Sequence, residues 1–189
     1  MEEIFKNDLL QGEKILWTSQ PNPNINFSSG DIFMVPFSLL WGGFAFFWEA
    51  IALFAPTPIF FKLFGLPFLL VGLYFILGRF IYKKIRKKKT FYAVTNKRVL
   101  TLSNLFSKRI EAAYINVIPT MNKSIRKDGF GTIVFGNSNL LATLYGNTGL
   151  DFFAAYYGMN APTFYDIPEA NNVYDLVNDL RNKAQTPNI

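Results

Sequence analysis

The chain contains neither cysteine nor histidine. Without cysteine it has no disulfide framework, no thiolate metal site and no thiol nucleophile. Without histidine it lacks the commonest general base and the commonest metal ligand. Acidic side chains are scarce as well, 13 Asp and Glu against 19 Lys and Arg, for a net charge of +6. No glycine-rich phosphate cradle and no cluster of carboxylates stands in the sequence. These absences read as a chain that is not an enzyme, with no catalytic residue, no metal ligand and no cofactor.

What is present is apolar and aromatic. Half of the 189 residues are hydrophobic and 21 are Phe, concentrated in the first half. From Ile32 to Ala55 the only charge is Glu49, and from Ile59 to Leu77 the only charge is Lys62. About twenty such residues at 1.5 Å each cross a hydrocarbon layer of roughly 30 Å. Pro56-Thr57-Pro58 cannot continue a helix, so the two runs predict an antiparallel transmembrane hairpin over 31–82. Pro36 falls in the first turns of the first span, and Pro67 predicts a kink in the second. Gly42, Gly43, Gly65 and Gly72 supply small surfaces for close helix approach. Glu49 and Lys62 form a candidate intramembrane pair, either functional or simply snorkelling at one end of the hairpin.

Residues 83–89, Lys-Lys-Ile-Arg-Lys-Lys-Lys, hold six cations in seven positions and account for the whole net charge. Nucleic-acid binding therefore need not be invoked. Lys83, Lys84, Arg86, Lys87, Lys88 and Lys89 are candidate contacts to anionic phospholipid, as a basic juxtamembrane linker. Cations beside a span are retained on the cytoplasmic side, and residues 56–58 carry no charge. The expectation is a multi-pass protein of the inner, cytoplasmic membrane with both termini cytoplasmic. Residues 1–30 read as a polar cytoplasmic segment without a secretory signal. Within it Gly12 to Thr18 alternates as a short strand, with Trp17 as a packing residue.

After the heptad the pattern changes to β. Thr90–Thr95 and Arg98–Ser103 flank Asn96-Lys97 and predict a tight hairpin with Asn96 in the left-handed conformation. Further strands are predicted at Ser107–Ala112, Val117–Ile125, Thr132–Gly136 and Thr163–Ile167. Pro168 and Glu169 open a helix whose apolar face is Val173, Leu176, Val177 and Leu180. Residues 137–162 form a long insertion with one charge, Asp151. It either dips into a bilayer or docks on a protein, or it packs on the domain with an extra hairpin near Leu140 to Tyr157.

The run Tyr92-Ala93-Val94-Thr95-Asn96-Lys97-Arg98-Val99 resembles the bacterial pleckstrin-homology-like domains. So do the turn Asp128-Gly129-Phe130-Gly131-Thr132 and Phe164 to Ile167 leading into Val173-Tyr174. The opening Gly12-Glu13-Lys14-Ile15-Leu16-Trp17 is similar to the first segment of small membrane proteins that carry such a domain after a helical hairpin. The resemblance implies an α+β membrane protein: a transmembrane hairpin plus a PH-like antiparallel β-barrel or sandwich, over 90–184, closed by a C-terminal α-helix. It implies a non-catalytic binding or scaffold module, and it leaves the ligand open. Relatives that bind lipid head groups use cations near the first hairpin. This makes Lys97, Arg98, Lys123, Arg126 and Lys127 a candidate ligand or partner face, with solvated strand ends as the alternative. The partners expected are the anionic bilayer and a membrane protein or a second copy. The competing function is an oligomeric membrane subunit, in transport or envelope-stress sensing, acting through the spans.

Overall fold

The structure, a computed structural model, describes residues 1–24, 27–137, 140–151 and 161–185. It divides into two units, each discontinuous in sequence: one of Ile25–Lys83 with Leu140–Gly158, the other of Met1–Asn24, Lys84–Asn139 and Met159–Ile189.

The first unit is helical. Helix α1 (Asp31–Phe54) is followed, after four residues, by α2 (Ile59–Leu73). A π-helical stretch at Tyr74–Gly78 then leads into α3 (Arg79–Lys88), making one continuous 30-residue helix. Among the described residues, two helices are thus long and apolar enough to cross a membrane. Their contact face is a stripe of small residues, Ser38, Gly42, Ala45 and Ala52 on α1 with Gly65 and Gly72 on α2. A Cβ built on Gly72 would lie 3.1 Å from Gly42 Cα, so the two backbones touch as small residues permit. The helix continues past Pro67, which can donate no backbone bond, and a π-helical irregularity falls later, at Tyr74–Gly78. Nor does the helix end before the basic heptad. Lys and Arg are good helix formers and nothing there breaks the helix, so residues expected as a linker are helical to Lys88.

The insertion departs from the sequence reading. Leu140–Tyr145 is a short helix, α4, and residues 140–151 fold with the helical unit. Gly30 lies directly against the Leu144 carbonyl, and Gly149, at φ +86°, lies against the Arg79 backbone. The remainder of the expected hairpin, including Phe152, Phe153, Tyr156 and Tyr157, lies outside the described residues.

The second unit holds two antiparallel sheets. β1 (Ile15–Ser19), β2 (Thr90–Thr95), β3 (Arg98–Asn104) and β4 (Lys108–Tyr114) pair in that order. β5 (Met121–Ile125), β6 (Gly131–Phe135) and β7 (Thr163–Ile167) form the other sheet. The last helix is α5 (Ala170–Gln185). No strand pairing joins the two sheets among the described residues, so the barrel named as one alternative is not closed. The sheets instead share one core with α5, through Tyr92, Val94, Val99, Ile133, Phe164, Val173 and Val177. Phe164 is its aromatic centre, with ring centroids 4.5 Å from Tyr92, 4.8 Å from Phe135 and 5.9 Å from Trp17. A smaller cluster, Phe5 with Ala93, Leu100 and Leu102, covers the other face of the first sheet. The N-terminal segment is therefore part of this fold, and β1 completes the sheet.

The β2–β3 turn forms where expected but by another device. Asn96 is not left-handed; instead the Thr95 hydroxyl accepts from Lys97 N at 3.1 Å and Arg98 N at 2.9 Å. Asn96 uses its side chain on the segment before β1, accepting from Lys14 N and donating to the Gly12 carbonyl. The strand expected from Val117 begins at Met121, because Ile115–Val117 turns as a 3₁₀ helix.

Candidate functional site

The heptad is two-faced because it is helical. Arg79, Lys83 and Lys87 recur every four residues and all three are buried. Side chains at that spacing share one helix face. Lys84, Lys88 and Lys89 are exposed, and Arg86 is intermediate. Two of the six expected lipid contacts, Lys83 and Lys87, are thus turned into the protein.

Each buried cation meets a carboxylate within its own unit. Asp31, in the first turn of α1, accepts from Arg79 Nη1 at 2.5 Å and Lys83 Nζ at 3.1 Å. Ser28 donates to it through both N and Oγ, at 2.7 and 2.8 Å. Arg79 also donates to the Phe75 carbonyl, within the π-helical stretch, at 2.9 Å and to Thr148 O at 3.1 Å. The Tyr74 hydroxyl donates to Gly149 O at 2.9 Å. In the β unit, Lys87 Nζ meets Asp166 at 2.5 Å and Arg126 Nη1 meets it at 2.8 Å. The register of β7 slips there, between the pairs Gly131↔Ile167 and Ile133↔Phe164, and Asp166 has φ +50°. A bulge of this kind re-aims a side chain, and Asp tolerates the left-handed conformation it needs.

The candidate ligand face is dispersed into local pairs. Arg98 grips Glu13 with Nε and Nη2, both at 2.9 Å, and gives Nη2 to Asp8 O at 2.7 Å. Glu13 also accepts from Thr95 Oγ1 and Leu10 N, each at 2.7 Å. Burial pushes the Glu13 carboxyl up, but the bonds from Arg98, Leu10 and Thr95 outweigh it and hold the group below its ordinary range. Lys97 donates to Gln11 O at 2.8 Å. Lys123 donates to Asn171 at 2.9 Å and sits 4.2 Å over the Tyr174 ring. Arg126 pairs with Asp128 and Asp166, while Lys127 is exposed. Lys97 and Arg98 are thus held by the segment before β1, and Lys123 and Arg126 bond to α5 and β7.

Glu49 and Lys62 do not pair. Lys62 donates to the Leu53 carbonyl at 3.2 Å, and Thr57 Oγ1 donates to Ala52 O at 2.8 Å. Both cap the carbonyl end of α1, where a cation is favoured. Glu49 points the other way, into the stripe of small residues, where a Cβ on Gly65 would overlap its Oε2. It is 2 % exposed, and neither carboxylate oxygen has a hydrogen-bond partner. An opening of about 200 Å³ is lined by Trp41, Phe44, Ala45 and Trp48 of α1 with Phe64 and Phe68 of α2.

Sequence reading missed the anions. Asp31 and Asp166 lie 48 or more residues from Arg79 and Lys87, and no local pattern links them. The four-residue spacing of Arg79, Lys83 and Lys87 was the available signal that one face of the heptad turns inward. No family model, curated protein or solved structure matches the chain.

Proposed function

We propose that the chain is a membrane-anchored, non-catalytic binding or scaffold module, with α1 and α2 crossing a bacterial inner membrane as a hairpin and a PH-like domain on the cytoplasmic face. The observation that carries this reading is the outer surface of the two long helices. Phe44, Phe47, Trp48, Phe54, Phe60, Phe61 and Phe64 are among their exposed side chains. An apolar surface of that extent has no favourable solvent except lipid or another protein. At about 1.5 Å per residue the 24 residues of α1 reach about 36 Å and the 30 of the second helix about 45 Å. The second is longer than a hydrocarbon layer of about 30 Å, and its excess carries the heptad into the head-group region. There Lys84, Lys88 and Lys89 attract anionic lipid at about 1 kcal/mol each. The order of strands and the terminal helix are consistent with the PH-like resemblance, and tethering such a domain raises its local concentration toward any ligand at that surface.

The chain has no native cysteine, so single-cysteine labelling tests the reading. In intact spheroplasts a membrane-impermeant maleimide should label Pro56→Cys, and should label Gln11→Cys and Lys127→Cys only after lysis. Labelling of all three in intact cells, or recovery of the protein in the soluble fraction, overturns it. The unpartnered carboxylate of Glu49 favours a second reading, an oligomeric subunit that works through its spans in transport or envelope-stress sensing. A Glu49→Gln protein that inserts and folds normally yet loses a cellular phenotype selects that reading.

A further inference from the structure

We propose that β4 is a docking edge for a second copy of this chain, the two strands pairing antiparallel about Ile110. The inference rests on the β unit alone and does not depend on the membrane reading.

β4 ends the first sheet, and no described strand lies beyond it. At seven residues it is longer than β1, β5 or β7, which end the sheets elsewhere, and five of its positions are exposed. Its outer row of N–H and C=O groups is a template for another strand. Such an edge usually carries charge that repels a partner, and here the charges are arranged to attract one particular partner. In an antiparallel pair centred on Ile110, Arg109 of one copy faces Glu111 of the other, and the match repeats by symmetry. Any residue-centred register keeps the outward-facing backbone groups in step, so this one is open to hydrogen bonding. Shifting the centre one residue, to Glu111, sets the two Glu111 side chains opposite each other. The charges therefore select the register.

The same register pairs the exposed apolar groups at the ends of the strand. Phe106 is 91 % exposed in the β3–β4 turn, and Tyr114 is 48 % exposed at the far end. Tyr114 ends the strand and Phe106 stands in the turn before its start, so pairing about Ile110 brings the Tyr114 end of each copy to the Phe106 turn of the other. An aromatic group at each end would then flank two cross-strand ion pairs. Within one chain Arg109 and Glu111 are already 3.3 Å apart, on two largely exposed side chains. Pairing would gather the four charges into an alternating row instead of separating them.

The test uses the full chain in detergent and follows its mass by light scattering. The wild type should be dimeric. Glu111→Arg places Arg opposite Arg, Arg109→Glu places Glu opposite Glu, and each should weaken the dimer at least about tenfold. The double swap restores opposite charges and should restore the dimer. As a second measurement, Ile110→Cys should crosslink to itself through a short bismaleimide. A monomeric wild type, a dimer that the single swaps leave intact, or crosslinking of the Ile110→Cys chain to a different protein overturns the proposal.

Discussion

Glu13 and Arg98 stand 85 residues apart, and the fold of the N-terminal segment depends on their meeting. The Glu13 side chain is fully buried and that of Arg98 nearly so. Removing one partner leaves the other charge buried without its match, which costs about 3 kcal/mol or more in such pairs. Arg98→Ala should therefore lower the unfolding free energy by about that much. By contrast Lys127→Ala, at an exposed position, should change it by less than about 0.5 kcal/mol. The pH dependence has a definite sign, because the folded carboxyl of Glu13 is held below its ordinary range. Its stabilisation is fully present above the unfolded value, about 4.3, and is lost as pH falls through the lower folded value. Thermal unfolding of wild type and Glu13→Gln across pH 3 to 7 should show a gap that is constant above about pH 5 and narrows below pH 4. A gap that widened on acidification would refute the pairing. Arg98 was legible as a cation beside a hairpin, hence its inclusion in a ligand face. Nothing local in the sequence marks a carboxylate so far away as its partner. Trp17 was legible as a packing residue within a short alternating strand, and it stacks on Phe164.

The helices were legible as elements because long runs with a single charge admit little else, and Pro56-Thr57-Pro58 marks the only stop. What the runs could not tell is where the second helix ends. Lys and Arg look like the end of a span, yet they propagate a helix as well as Leu does. The consequence is that Arg79 and Lys83 share a face and converge on Asp31 at the start of α1. Asp31→Asn keeps the shape and removes the charge both cations face. The expected cost is about 3–5 kcal/mol, read as loss of thermal stability in detergent. Asp31→Asn melting within a degree of wild type would mean that this cluster does not hold the base of the hairpin. The insertion was the least legible element. Its apolar residues fitted a lipid-facing loop as well as a packed one. The deciding contacts, Tyr74 to Gly149 and Arg79 to Thr148, are made by carbonyls, which a sequence does not distinguish.

At the scale of the whole molecule, the order of the chain and the order of folding units disagree. A linear reading separates a 1–30 segment, a hairpin at 31–82 and a domain at 90–184. In the structure β1 pairs with β2, Phe5 fills the smaller core, and Trp17 stacks on Phe164. The β unit thus takes residues from both sides of the helical hairpin. A fragment of residues 90–184, the domain of a linear reading, lacks β1 and Phe5. It leaves β2 as an open edge and exposes Leu100 and Leu102 on the outer face of the sheet. Losing a buried Phe alone costs about 3–5 kcal/mol, which is comparable to the whole stability of a small domain. The fragment should therefore lack a cooperative thermal transition and bind a hydrophobic dye. Adding a peptide of residues 1–24 in excess should restore the transition and displace the dye, by an amount that rises with peptide concentration. Cooperative unfolding of the fragment alone, unchanged by the peptide, would show that the β unit closes without its N-terminal strand.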